Sequence, residues 1–114
     1  MGAVLIVEDD KEIRGLFCRM LHAEGYQTLE AGNGFEALEV LTLSEQNPRV
    51  IVLDLMMPVM DGRQFLEEVR KTRFRDIPVI VSSASMDRDI KGVEYIPKPI
   101  GVAEFLSKLA KHFR

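Results

Sequence analysis

No stretch of this 114-residue chain is apolar for long. A helix that crosses a bilayer needs about 20 consecutive apolar residues, and the branched runs here, such as Ala3 to Val7 (AVLIV), stop far short. The N-terminus lacks a basic region followed by a long apolar stretch and a cleavage site, so no secretory leader is expected. Cysteine is nearly absent: Cys18 alone cannot close an internal disulfide, which suits a reducing compartment. Charge of one sign is also scarce. A net charge of -3 gives no reason to expect a nucleic-acid surface. What remains is ordinary globular composition, 46% hydrophobic and 29% charged, in a length that fits one core. These features predict one soluble, cytoplasmic domain with no membrane contact, and say nothing of its function.

Two runs, Ala3 to Val7 and Val50 to Leu53 (VIVL), are continuous and rich in branched residues, as in strands of a parallel sheet covered on both faces. Ile77 to Val81 (IPVIV) is a third, with Pro78 tolerable near its start. Gln27 to Ala31 and Val93 to Ile96 alternate and read as edge strands. Between them, Ile13, Leu16, Phe17, Met20 and Leu21 recur at helical spacing, with Gly25 as a stop. Phe35, Leu38 and Leu41 mark a second helix; Phe65, Leu66 and Val69 a third. Ala103, Phe105, Leu106, Leu109 and Ala110 mark a last one running to the C-terminus. Strand and helix alternate, which predicts an α/β sheet with right-handed crossovers. One crossover is anomalous: only Ala84 to Gly92 (ASMDRDIKG) joins the fourth strand to the fifth. Nine extended residues reach roughly 30 Å, enough to return along a short strand but not with a full helix. One turn or an irregular loop is expected there.

Carboxylates gather at the strand ends. The first strand runs into Glu8, Asp9 and Asp10, and the third, inside RVIVLDLMMPVMDG, into Asp54. In a parallel sheet these ends share one edge, where open α/β folds bind ligands. Converging carboxylates repel one another unless a cation joins them, and oxygen-only ligation suits Mg²⁺ or Mn²⁺. The bland reading is helix capping, since Asp9 with Glu12 and Asp61 with Gln64 both have capping-box spacing. Ser83 and Lys98, at the ends of the fourth and fifth strands, favour the site: a hydroxyl and an ammonium on the same edge suit an anion beside the metal.

With these residues the chain resembles the receiver domain of two-component response regulators. The matching segments are LIVEDDKEIR, AGNGFEALEVL, VIVLDLMMPVMDG, PVIVSSA and YIPKPI, in order over nearly the whole chain. The resemblance implies a flavodoxin-like doubly wound five-stranded parallel sheet in the order 2-1-3-4-5, here with a shortened or missing fourth helix. It implies a single receiver domain over residues 1–114, standing alone or excised from a longer protein. It implies that Asp54 accepts a phosphoryl group from a histidine kinase or histidine phosphotransfer protein, with Mg²⁺, as a switch rather than an enzyme. Glu8, Asp9, Asp54 and the carbonyl of Met56 would hold the metal, with Asp9 rather than Asp10 in its shell. Ser83 would bond the phosphoryl oxygens, Lys98 would supply the cation, and Tyr95 would be the switch aromatic; a downstream protein target is implied but not identified. A cis bond between Lys98 and Pro99 is also implied. The family's usual output surface includes the fourth helix, which is stunted here.

Other readings compete. GNGFEA, Gly32 to Ala37, matches the G-x-G-x-x-A dinucleotide fingerprint, with Asp54 about 20 residues on. Against it, this strand is second rather than first, the chain is short for two mononucleotide halves, and glycines making a tight turn into a helix explain it as well. A receiver-like protein-binding scaffold without phosphorylation is a further alternative, opposed by the acids, serine and lysine. A phosphatase of the haloacid dehalogenase type would want an aspartate where Met56 stands. His22 and His112 lack partners for a metal site, Cys18 reads as a partly covered thiol off the apolar face, and Met56, Met57 and Met60 as loop packing. Lys108, Lys111 and Arg114 suit a helix C-terminus.

Overall fold

Strand and helix alternate through β1 (Ala3–Val7), α1 (Lys11–Ala23), β2 (Gln27–Ala31), α2 (Gly34–Leu43), β3 (Val50–Leu53), α3 (Gly62–Val69), β4 (Val79–Ser83), β5 (Glu94–Pro97) and α4 (Val102–Ala110), closed by a 3₁₀ turn at Lys111–Phe113. The computed structural model describes residues 2–84, 88–98 and 101–114. The five strands are all parallel, in the order β2-β1-β3-β4-β5, as expected.

Both faces of the sheet are covered, which is why β1 and β3 are apolar at every position. Leu5, Val7, Ile51, Leu53, Val79 and Val81 face α2 and α3, packing with Leu41, Phe65 and Val69. Val4, Ile6, Val50, Val52, Ile80 and Ile96 face the other way, against Phe17 and Leu21 of α1 and Phe105 and Leu109 of α4. Phe17 and Phe105 meet edge to face with centroids 5.2 Å apart, which ties α1 to α4.

Several boundaries and faces differ from expectation. β4 starts two residues late, because Ile77 is held in a turn by its N–H to the Phe74 carbonyl and Pro78 has no N–H to give. β5 is shifted by one residue, to Glu94–Pro97. Leu16 and Phe35, placed on apolar faces by spacing, are more than half exposed at 55% and 58%. Cys18 is buried rather than partly covered, turned into the layer with Phe17 and Leu21, and its burial pushes the thiol pKa up. Gly25 ends α1 with φ +86°, a left-handed turn open to glycine. The crossover after β4 has no helix among its described residues, 84 and 88–93. The peptide bond between Lys98 and Pro99 and residues 85–87 lie outside the described residues.

Candidate functional site

The N-caps decide which acids are free for chemistry. Asp10, not Asp9, caps α1: its Oδ1 accepts from the N–H groups of Glu12 (2.9 Å) and Ile13 (3.2 Å). The expected Asp9–Glu12 box does not form, and Asp9 is left over the sheet edge. The second expected box does form, since the N–H of Gln64 reaches Asp61 Oδ1 at 2.9 Å and the N–H of Asp61 reaches Gln64 Oε1 at 3.0 Å. That cap starts α3 directly beneath the end of β3. Gly62 makes the fit possible, because a Cβ there would lie 2.6 Å from the Asp54 carbonyl oxygen and 2.7 Å from Leu55 Cα.

Glu8, Asp9 and Asp54 converge as expected, with one carboxylate oxygen from each lying within 4.8 Å of the others. Glu8 and Asp54 are buried, while Asp9 is exposed. Lys98 reaches across from the end of β5, its Nζ 2.9 Å from Glu8 Oε1 and 3.6 Å from Asp54 Oδ2. Burial draws the ammonium pKa down, but the hydrogen bond to Glu8 and the charge of Asp54 overcome it and leave Lys98 above the ordinary lysine value. Asp9 is held above the ordinary carboxylate value by desolvation, then by its hydrogen bond to Glu8 and that group's charge. Three crowded carboxylates and no soft donor form a set that fits a hard divalent cation such as Mg²⁺.

The backbone steadies the acids. The N–H of Asp10 donates to Glu8 Oε2 at 3.2 Å, and the N–H of Met56 to Asp54 Oδ1 at 3.1 Å. Arg14, unnoticed in the sequence, binds the Glu8 carbonyl through Nη1 at 2.7 Å and Glu30 through Nε at 3.2 Å. Its position one helical turn after the acids was the available signal. Met56 points its side chain outward, 73% exposed. Ser83 is buried at the end of β4, and its carbonyl accepts the N–H of Lys98 at 3.3 Å.

Tyr95 stands apart from the acids. Its hydroxyl accepts the Ile90 N–H at 2.9 Å, and Arg88 stacks over its ring at 4.8 Å. Asp89 is gripped by the Arg63 guanidinium at 2.8 and 3.1 Å, which lowers the Asp89 pKa, and Arg70 binds the Lys91 carbonyl. The short crossover is therefore pinned to α3 and β5 where a packed helix would otherwise hold it.

The glycine turn does not bind phosphate in the way the dinucleotide motif needs. The N–H of Gly34 is spent on the Met60 carbonyl at 3.0 Å and that of Gly32 on Glu36 Oε1 at 2.7 Å. A Cβ on Gly34 would press within 2.7 Å of Met60 Cγ, so this glycine serves close packing of α2 against the β3–α3 loop. His22 bonds Thr28 at 2.9 Å, and His112 lies 2.8 Å from Glu94 Oε1. Lys111 also binds Glu94, at 2.7 Å, so the basic C-terminal turn clasps β5.

Among known proteins, the chain is 34% identical to the response regulator MprA of Mycobacterium ulcerans, over 93% of this chain and 47% of that protein. It is equally similar, at 34%, to MprA of Mycobacterium leprae, over 48% of that protein. The chain thus spans about half the length of these curated relatives. Among solved structures, the receiver domain of the Francisella response regulator 1452 superposes with a TM-score of 0.86 at 31% identity, covering 99% of this chain and 97% of that one. The signal receiver domain of a signal transduction histidine kinase from Syntrophus aciditrophicus superposes with a TM-score of 0.88 at 29% identity, covering 98% and 89%. The model of the response regulator receiver domain matches residues 4–111, a span that carries all of the sheet but the first residue of β1, and the whole acid cluster. By sequence, strand order and site together, the chain belongs to the response regulator receiver domain family.

Proposed function

We propose that Asp54 accepts a phosphoryl group from the phosphohistidine of a histidine kinase or histidine phosphotransfer protein. The observation that carries this reading is the position of Asp54, in one cluster with Glu8 and Asp9 and 3.6 Å from the Lys98 ammonium. An Asp54 carboxylate oxygen attacks phosphorus, forming a P–O bond as the P–N bond to imidazole breaks, and the imidazole nitrogen keeps the electron pair. Glu8, Asp9, Asp54 and the Met56 carbonyl would hold Mg²⁺, which when bound neutralises charge on the phosphoryl oxygens. Lys98 exchanges its ion pair with Glu8 for the incoming phosphoryl oxygens, and the Ser83 hydroxyl donates to another of them. Phosphoryl transfer needs chiefly positioning and charge stabilisation, so these few groups suffice.

The modified side chain carries new charge and strong acceptors. In this reading it draws on Ser83 and changes the setting of Tyr95, and through Tyr95 the short crossover that a downstream protein would read. The domain is then a cytoplasmic switch that turns over only its own phosphoryl group. No helix of the described residues is long and apolar enough to cross a membrane.

Intact mass after incubation with Mg²⁺ and phosphoramidate or acetyl phosphate tests the reading. One phosphoryl adduct is expected on the wild type, none on Asp54→Asn, and none after chelation of the metal. An adduct that persists on Asp54→Asn would overturn it. A partner-binding scaffold without phosphorylation would give no adduct on any variant and no Mg²⁺ binding.

A further inference from the structure

Ser82 lies beside the acids on the same face of the sheet, and nothing in the chemistry above uses it. It is 2% exposed, and its Oγ has no hydrogen-bond partner among the described residues. Strand alternation puts Ser82 on the face of Ile80 and Ile96, away from that of Val81 and Ser83. Register places it further. Leu53 pairs with Val81, so Ser82 comes next to Asp54, and Val7 pairs with Leu53, so Asp54 comes next to Glu8. Glu8, Asp54 and Ser82 thus form one row across three neighbouring strands, each about 4.8 Å from the next.

Lys98 closes the row from above. It follows β5, yet its ammonium meets Asp54 after β3 and Glu8 after β1, and β4 lies between. Its stem therefore crosses the end of β4 on the side of α1 and α4, where it lines a groove with Ile13, Phe17 and Val102. Strand order and register together put Ser82 under that crossing. The ammonium is drawn toward Glu8, at 2.9 Å, and stands off from Asp54 at 3.6 Å. A buried hydroxyl without a partner is disfavoured relative to alanine in the same place. Moving the ammonium from Glu8 toward Asp54 would bring it over Ser82, whose hydroxyl can accept one N–H and donate its own proton at once.

We propose that Ser82 is a positioning residue of the phosphoacceptor site, its hydroxyl bridging the Lys98 ammonium and the Asp54 side chain when Lys98 leaves Glu8 for the phosphoryl group. This rests on the Asp54 reading above. Ser82 differs from Ser83 in its role: Ser83 addresses phosphoryl oxygens from the other face, whereas Ser82 acts through Lys98.

The test compares wild type, Ser82→Ala and Ser82→Thr, with Asp54→Asn as control. Phosphoramidate with Mg²⁺ supplies the phosphoryl group: the Asp54 oxygen forms the P–O bond, the P–N bond breaks, and ammonia leaves after taking up a proton. Intact mass follows adduct formation, and its decay after the donor is removed. Thermal unfolding is measured separately in chelator. Ser82→Ala is expected to unfold no lower than wild type in chelator, yet to form the adduct at least fivefold more slowly or lose it at least fivefold faster. Ser82→Thr, which keeps a hydroxyl, is expected to recover most of that loss. Wild-type rates and lifetime in Ser82→Ala would overturn the proposal while leaving Asp54 in place as acceptor. Equal impairment of Ala and Thr would also overturn it, assigning the effect to packing, as would a lowered Tm of Ser82→Ala in chelator, which would mean the hydroxyl is already paired. Absence of any adduct on wild type would sink the acceptor reading, and the Ser82 assignment with it.

Discussion

Lys98 and Glu8, ninety residues apart in the chain, form a 2.9 Å ion pair at the edge of the sheet, with Glu8 almost fully buried. The ammonium supplies the counter-charge for a buried carboxylate crowded by Asp9 and Asp54. Removing one partner of a buried pair leaves an uncompensated charge. Lys98→Met is therefore expected to lower stability by about 2 kcal/mol in chelator, below the full penalty because the Lys98 side chain is partly open to solvent. Mg²⁺ should restore part of that loss, since a cation then returns to the carboxylates. Denaturant unfolding with and without Mg²⁺ checks both. Because the Lys98 pKa is raised, its contribution in wild type is complete below about pH 10 and is lost only as the pH rises through the folded value. A Lys98→Met protein as stable as wild type in chelator would contradict the pairing.

Gly62 packs its backbone against the Asp54 carbonyl and Leu55 Cα, with no room for a methyl group. The obstacles are backbone atoms, which cannot rotate away. Gly62→Ala is expected to cost about 2 kcal/mol, in the range of overpacked core positions. It should also move the segment that carries Asp54, so slower adduct formation is expected beside the lower denaturation midpoint. A neutral Gly62→Ala would mean that α3 docks more loosely than described.

Strand order and the convergence of the three acids were legible in the sequence because both rest on patterns confined to short segments. AVLIV and VIVL could be buried on two faces only in a parallel sheet, and the acids follow those strands directly. What was not legible depends on contacts between distant segments. Asp9 and Asp10 are equally placed to cap α1, and only the helix start at Lys11 assigns the task to Asp10. Leu16 and Cys18 both lie beside Phe17, and spacing favoured Leu16 for the core. The packing of α1 on the sheet and α4 instead turns Cys18 inward and leaves Leu16 out. The clasp of Lys111 and His112 on Glu94 joins segments 17 and 18 residues apart and has no local signature.

Val59 adopts φ +67°, a left-handed conformation that β-branched residues rarely take, and its side chain is 80% exposed. The strain is not offset by burial. Val59→Gly is expected to stabilise the protein by about 1 kcal/mol, the relief of strain outweighing the extra freedom of glycine in the unfolded chain. A higher melting temperature with an unchanged fold checks this. A fall in stability would show that the β3–α3 loop draws more from the valine side chain than its exposure indicates.

Glu94 is subject to opposing effects: burial raises its pKa, but the hydrogen bonds from Lys111 and His112 prevail and hold it below the ordinary value. A depressed carboxylate pKa stabilises the fold above the unfolded value and loses that contribution as pH falls through the folded one. Glu94→Gln is expected to cost about 1 kcal/mol at pH 7, with the difference from wild type shrinking once pH falls below about 4 and vanishing only below the depressed folded value. Urea midpoints of the two proteins between pH 7 and 3 would converge. Parallel curves over that range would show that the clasp is not ionic.

Tyr95 accepts the Ile90 N–H at 2.9 Å, and this bond crosses from β5 to the short segment that replaces a full fourth crossover. If Tyr95 changes setting when Asp54 is modified, that amide loses its acceptor. Hydrogen exchange at Ile90 should then quicken in the phosphorylated wild type and stay slow in Asp54→Asn treated with the same donor. Tyr95→Phe should quicken it without any donor, because the ring remains and only the acceptor is lost. Removing a neutral hydrogen bond of this kind costs about 1 kcal/mol, which corresponds to roughly fivefold faster local opening if the segment opens as a unit. Unchanged exchange at Ile90 after phosphorylation, alongside fast exchange in Tyr95→Phe, would mean that Tyr95 anchors the crossover but does not relay the state of Asp54 to it.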